Sequence, residues 1–359
     1  MIDFNDIKFK RVAMHQVLAK DADQEHSMAI LDKNLFQIDE GVEEIIKNRL
    51  VKASKKGSKA FELEIIDSGN LSFFGLCNKL KSLPDHEFIK ASGELAQHLA
   101  TCQTTSSIPG GYLLVIQADT SLEQAVYIVI KAELNEALRY EIHDQQSTIQ
   151  LLDDVFLTPN QKFYKIGCIY ERYVDDLDYP NNEFGCFLYD EQFNIDSKPA
   201  EYFYKDFLGF STRSNAKIQS KKFFVNTEKF IQNNINHYEE KQAMLDSLRN
   251  EFLSPEFPEL EPDRFAETHF GQDDVREQYA AEVAPYLPSL IVKDTSLIKA
   301  KLEKRTINFP HNIKIMGPEK AFDYTVQIIH DDEEVGKLDM SEDKYTLIKI
   351  LGKPFDDFG

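Results

Sequence analysis

The apolar and polar positions along this chain follow three different patterns in turn. In the first stretch, short apolar runs alternate with turns. Residues 9–18 (FKRVAMHQVL) and 27–31 (SMAIL) read as two strands, with KDADQEH turning between them. Residues 59–66 (KAFELEII) alternate as a third. The strongest strand signals are PGGYLLVIQAD and EQAVYIVIKAEL, which are β-branched and aromatic and are joined by a link over 119–123. Residues 162–174 (KFYKIGCIYERYV) predict a strand that completes the sheet. Two segments between these strands have a helical period. Residues 39–54 are apolar at 42, 45, 46 and 50 with Asp39 as cap, and 86–103 are amphipathic through Phe88, Leu95, Leu99 and Cys102. Residues 175–196 turn to Asp, Asn, Tyr and Pro and read as an exposed acidic excursion, with 184–189 as a short strand inside it.

The pattern then becomes helical. A segment starting near residue 211 continues through 223–253, until the three prolines of SPEFPELEPDRF break it. EPDRFAETHF and DDVREQYAAEVAPYL predict two short helices. After Pro288 the chain turns β-rich (SLIVKD, TINFP, NIKIMG, DYTVQIIHDD, EVGKLD, YTLIKI), with GPEKAF as a helix start that has Pro at its first position. The expectation is an α+β protein. A mixed sheet with helices spans 1–195, a helical segment 196–288 and a small β-rich module 289–359.

Composition narrows the class. The 42% hydrophobic and 11% aromatic content excludes a disordered chain. No apolar run approaches 18 residues, and the N-terminus lacks the apolar stretch and cleavage site of a secretory signal, so no membrane insertion is expected. Cys77, Cys102, Cys168 and Cys186 are scattered without a C-x-x-C spacing and read as reduced, buried thiols of a cytosolic protein. His15 lies inside the first strand and reads as a polar partner within the sheet. Asp175, Asp176 and Asp178 lack the spaced acids, Gly and closing Glu of a calcium loop, so a solvated acidic loop is the expectation. There is no nucleophile elbow, H-E-x-x-H, Walker sequence or dinucleotide fingerprint. Gly110-Gly111 precedes a strand rather than opening a helix, so it is no phosphate loop. The chain reads as non-enzymatic, with no cofactor and no metal site.

Charge supplies the candidate chemistry. The net charge is -20, yet DFLGFSTRSNAKIQSKK (206–222), with Lys205 before it, gathers Lys205, Arg213, Lys217, Lys221 and Lys222 against one acid, Asp206. Ser211, Thr212 or Ser214 is placed to cap a helix here, which would set Arg213, Lys217 and Lys221 in one stripe with Asn215, Gln219 and Lys222 beside it. Such a stripe near a helix N-terminus suits a polyanion, and a solvated helix face has the same look. Lys52, Lys55, Lys56 and Lys59 around Gly57 form a second basic focus. Against both stands the overall acidity, which repels nucleic acid at long range.

The run DFLGFSTRSNAKIQSKKFF resembles the signature of the bacterial 37-kDa nucleoid-associated protein family, a D-F-L-G element followed by N-A-K and a polar-basic helix. VAMHQVLAKD (12–21), PGGYLLVIQAD with AVYIVIKAEL (109–134), and NFPHNIKIMGPEKAF (308–322) resemble three further family stretches in order and spacing. The resemblance implies a nucleoid-associated protein of the bacterial cytoplasm that binds DNA, or RNA, as a homo-oligomer. Arg213, Lys217, Lys221 and Lys222 would hold phosphates, and Asn215 and Gln219 would hydrogen-bond to backbone or base edges. The alternative is an interaction or sensor protein, for example in phage defence. It would bind a protein partner through residues 239–282, where thirteen acids face four bases.

Overall fold

The computed structural model describes residues 2–23, 25–133, 135–143, 146–155, 165–172, 183–193, 201–309 and 313–318. The chain divides into two compact units, Met1–Asn215 and Ala216–Gly359. In the first, β1 (Ile7–Val17) and β2 (Ala29–Ile30) precede α1 (Glu40–Ser54), β3 (Ala60–Ile65), α2 (Phe73–Leu80) and α3 (Asp85–Cys102). There follow β4 (Gly111–Thr120), β5 (Ala125–Ala132), β6 (Asn135–His143), β7 (Gln146–Val155), β8 (Lys165–Glu171), β9 (Phe184–Asp190) and β10 (Phe210–Ser211). Eight of these strands form one sheet, ordered β10-β3-β9-β8-β5-β4-β1-β2, and β6 and β7 form a separate hairpin. Every ladder in the eight-stranded sheet is antiparallel.

The sheet is covered on both faces, which is why β4 and β5 read as continuous apolar runs rather than as alternations. One face carries Leu114, Ile116, Val126, Ile128, Ile130, Ile166, Cys168 and Phe187, packed with Ile46 and Leu50 of α1. That helix starts where Asp39 accepts a hydrogen bond from the Val42 amide at 2.8 Å. On the other face, α3 meets the sheet at His15. The buried ring bonds Ser92 Oγ through Nε2 at 2.9 Å, and its Nδ1 accepts from the Asp32 amide at 3.1 Å. Because Nδ1 accepts, the proton sits on Nε2. Burial lowers the pKa of this imidazole and Asp32 opposes that shift only in part.

Strand β9, expected as a short piece of an exposed excursion, lies inside the sheet between β3 and β8, with all but its first residue buried. Asp175, Asp176 and Asp178 lie outside the described residues.

The second unit contains α4 (Ala216–Asn234), α5 (Tyr238–Leu253), β11 (Glu259–Leu260), α6 (Pro262–His269), α7 (Asp273–Glu282), β12 (Ile291–Val292), α8 (Lys299–Leu302), β13 (Lys304–Phe309) and β14 (Ile313–Pro318). The helix expected to run unbroken to 253 is divided at 235–237. Asn234 bonds back to the Phe230 carbonyl at 3.1 Å, the local competition by which Asn ends helices. The break lets Phe223, Phe230 and Ile231 share a core with Leu248, Phe252, Phe265 and Tyr279. Ile291, Ile298 and Leu302 join the same core. Pro318 closes strand β14, paired through Lys304↔Pro318, and the rest of the expected GPEKAF helix start lies outside the described residues. Most of the expected β-rich module, including DYTVQIIHDD, EVGKLD and YTLIKI, lies outside the described residues. Among the described residues, no helix is long and apolar enough to cross a membrane.

Candidate nucleic-acid interface

The apolar half of the 206–222 run is core. Residues Tyr202–Phe207 form a π-helical turn, in which the Leu208 amide bonds the Phe203 carbonyl five residues back at 3.0 Å. Phe203, Phe207, Leu208 and Phe210 are all buried, and Phe207 packs on Phe73 and on the His98 ring of α3. Leu208 fills a notch in the sheet: a Cβ on Gly167 of β8 would lie 2.6 Å from both Leu208 methyls. Gly209 then turns the chain with φ +67°, and its carbonyl accepts from the amides of Ile66 at 2.9 Å and Asp67 at 3.2 Å. A left-handed residue in such close quarters has to be glycine.

The polar half divides. The helix starts at Ala216, so Arg213 stands in the preceding turn and not on the helix with Lys217 and Lys221. This corrects the single stripe expected from an earlier start. Asn215 occupies the position before the helix, and its amide donates to the Glu62 carbonyl at 2.8 Å. Gln219 is only 3% exposed, since it shares the buried arc of α4 with Ile218, Ser220 and Phe223, so its expected contact with nucleic acid does not fit this placement. Lys217 is exposed and Lys221 is half-buried one turn on, with no acid in the helix's first turn. Among the described residues, no carboxylate lies within ion-pair range of Arg213, Lys217 or Lys221. The next acid along that face, Glu228, is held by Lys301 at 2.6 Å.

The second basic focus also divides. Lys52 and Lys55 are exposed. Lys56 pairs with Glu191 at 2.8 Å, which raises its pKa, and Lys59 donates to the Phe193 carbonyl at 2.9 Å. Both of the latter are occupied in holding the chain after β9.

A buried ionic row escaped sequence reasoning. Lys131, Lys165 and Asp190 lie side by side on β5, β8 and β9, in the register Lys131↔Lys165 and Lys165↔Asp190. Lys165 bonds Asp190 at 2.5 Å, while Lys131 donates to the Pro109 carbonyl at 2.9 Å and to Tyr202 Oη at 3.2 Å. Burial pushes the Lys131 ammonium down to about 8. The row ties the turn that carries Tyr202 to the sheet. Lysines at strand ends look like solvated positions, and nothing local in the sequence distinguishes them. Among the described residues, no cluster of three or more His, Cys, Asp or Glu is placed to hold a metal.

An α+β unit with a glycine-turned D-F-L-G element, followed by a helix in whose opening Lys217 and Lys221 have no carboxylate in ion-pair range among the described residues, defines the class. The family model described as nucleoid-associated protein YejK matches residues 14–334. The chain belongs to that family, whose membership carries a nucleoid-associated role. No curated protein matches the chain closely enough to be called a relative.

Proposed function

We propose that the chain binds nucleic acid through phosphate contacts of low sequence specificity, made by Arg213, Lys217, Lys221 and Lys222, with Lys52 and Lys55 as a second contact. The observation that carries this reading is the pair Lys217 and Lys221. In a chain of net charge -20, these two cations open a 19-residue helix with no described carboxylate in ion-pair range. The first-turn amides of that helix add partial positive charge at the same end. Phosphate contacts position a protein without reading sequence, so affinity depends on salt more than on base composition. Asn215 is anchored on the Glu62 carbonyl, and Gln219 lies on the buried arc of α4. No reaction is assigned, in keeping with a family that is generally non-enzymatic. The setting is the cytoplasmic nucleoid, with DNA or RNA as ligand and a homo-oligomer as the acting form.

Reversing the pair (Lys217→Glu with Lys221→Glu) is expected to abolish retention on DNA in an anisotropy titration while leaving the circular dichroism melt unchanged. Undiminished binding by that variant overturns the reading. The second reading, an interaction or phage-defence sensor protein, draws on the exposed acids Asp263, Glu267, Asp274, Glu277 and Glu282 of the second unit. Their chemistry suits a basic protein partner. A partner captured equally well after nuclease treatment, together with DNA binding insensitive to the lysine reversal, would favour it.

A further inference from the structure

A third basic focus lies in the second unit. Residues 299–305 (KAKLEKR) hold four bases against one acid, another local reversal of sign in a chain of net charge -20. The fold sets this segment beside the lysines of α4. Lys217, Lys221, Phe224 and Glu228 are spaced at i, i+4, i+7 and i+11, so they share one stripe of that helix. The chain before α8 meets α4 at Ser220, whose Oγ accepts from the Asp294 amide at 2.9 Å. It reaches the far end of the stripe at Lys301, whose ammonium lies 5.8 Å over the Phe224 ring and bonds Glu228 at 2.6 Å. Lys299, Lys301 and Lys304 are all exposed there. Arg249 of α5 holds the end of α8 in place, donating to the carbonyls of Lys301 at 3.1 Å, Leu302 at 3.0 Å and Lys304 at 2.7 Å.

The acids along this path are engaged. Lys301 matches Glu228, and the Asp294 carboxylate accepts from the Ser296 amide at 2.9 Å. Glu303 faces Lys299 at 3.8 Å, an exposed pair of the kind that contributes little and yields readily to a phosphate. Lys304 has no carboxylate in ion-pair range among the described residues. We infer that Lys299 and Lys304 continue the phosphate row of Lys217 and Lys221, and that the ligand of the whole row is a double helix rather than a single strand. The inference rests on the phosphate-contact reading above. Lys301 serves the row by cancelling Glu228, the acid that would otherwise interrupt it. Lys217 and Glu228 are eleven residues apart. At about 1.5 Å per residue that is about 16 Å, or about five steps along one strand of a duplex at about 3.4 Å each. Phe223, Phe224 and Phe230, the aromatic residues of α4, are buried, and α8 has none. An unpaired base therefore finds no ring on these helices to stack on, whereas the bases of a duplex already stack on each other.

The test is a salt titration of the full chain with a short mixed-sequence DNA duplex and with one of its strands alone, read by anisotropy. Lys299→Gln with Lys304→Gln is expected to flatten the slope of log affinity against log salt by about 2, because each phosphate contact contributes about -0.9. Glu228→Gln frees Lys301 and should steepen the slope by about 1. Lys33→Gln with Lys90→Gln, two exposed lysines of the first unit, changes the net charge equally and should leave the slope as it is. The single strand should bind more weakly than the duplex at every salt concentration. If the Lys299 and Lys304 pair leaves the slope unchanged while Lys217→Gln with Lys221→Gln flattens it, this inference falls and the reading beneath it stands. If only the Lys299 and Lys304 pair flattens it, the α4 lysines leave the interface and the continuous row goes with them. A control pair that flattens the slope as much as the test pair also overturns the inference. So does a slope unmoved by Glu228→Gln, or a single strand bound as tightly as the duplex. A chain that binds no duplex overturns both readings.

Discussion

Gly209→Ala tests whether the glycine of the D-F-L-G element serves architecture or binding. At φ +67° an alanine sits in the left-handed region, which costs roughly 1–2 kcal/mol for a residue with a Cβ. The new methyl would lie 2.7 Å from the Asp67 Cβ. Carbon atoms pack comfortably at about 3.5–4.0 Å, so a displacement on the order of 1 Å is needed. Overpacking of this kind typically costs about 1–3 kcal/mol. The movement also pulls on the Ile66 and Asp67 amides that share the Gly209 carbonyl, where β10 meets β3. The total is about 2–5 kcal/mol, and for a unit of this size each kcal/mol moves Tm by roughly 2–4 °C. A fall of about 5–15 °C is expected for the first unit, followed by circular dichroism on heating. Gly57→Ala, with no atom within 4 Å of the added Cβ, serves as the control and should stay within about 0.5 kcal/mol of wild type. DNA affinity measured well below the transition should not change. A Gly209→Ala protein that melts with the wild type would refute the packing argument, and one that melts normally but loses DNA would return the glycine to the interface.

Three further outcomes are expected. In the proposed interface each phosphate contact contributes about -0.9 to the slope of log affinity against log salt, so Lys217→Gln with Lys221→Gln should flatten that slope by about 2. An unchanged slope would show that these lysines do not meet phosphate. Lys165→Met strands the buried Asp190 carboxylate and should cost about 3–5 kcal/mol in denaturant unfolding, whereas Lys165→Met with Asp190→Leu should recover most of it. Equal losses in both variants would count against a buried ion pair. Lys131 titrates near 8 in the folded protein against 10.5 as the ordinary value, so between those pH values the unfolded chain holds a proton that the folded one has released. Stability should therefore rise with pH across that window, and the Lys131→Met variant should lack the rise; parallel curves would refute the shift.

Period and capping carried most of the first unit into view. Asp39 announces α1, and the runs around Leu113–Ile116 and Val126–Ile130 announce the two central strands. What stayed hidden depends on distant partners. The α2 segment, FFGLCNKL, is too short and too apolar to show a helical period, and only its Ser72 cap, bonding the Gly75 amide at 3.1 Å, marks it locally. The two-residue strands β10 and β11 exist only because another strand lies alongside. At the candidate site, residue type was legible and orientation was not. Gln219 and Lys217 looked equivalent beside one another, and helix phase put one in the core and the other in solvent. Lys56 and Lys55 are likewise neighbours, and a glutamate far along the chain, Glu191, claims the first of them.

The eight-stranded ladder also bears on where the chain can vary in length. Strands β5 and β8 are adjacent, yet residues 133–164 leave and return between them, and among the described residues the β6–β7 hairpin in that stretch pairs only with itself. Doubling such an excursion adds only about 0.6 kcal/mol of closure entropy. Insertions and deletions can accumulate there over evolutionary time while the registers of β5 and β8, and the buried lysines they carry, remain as they are.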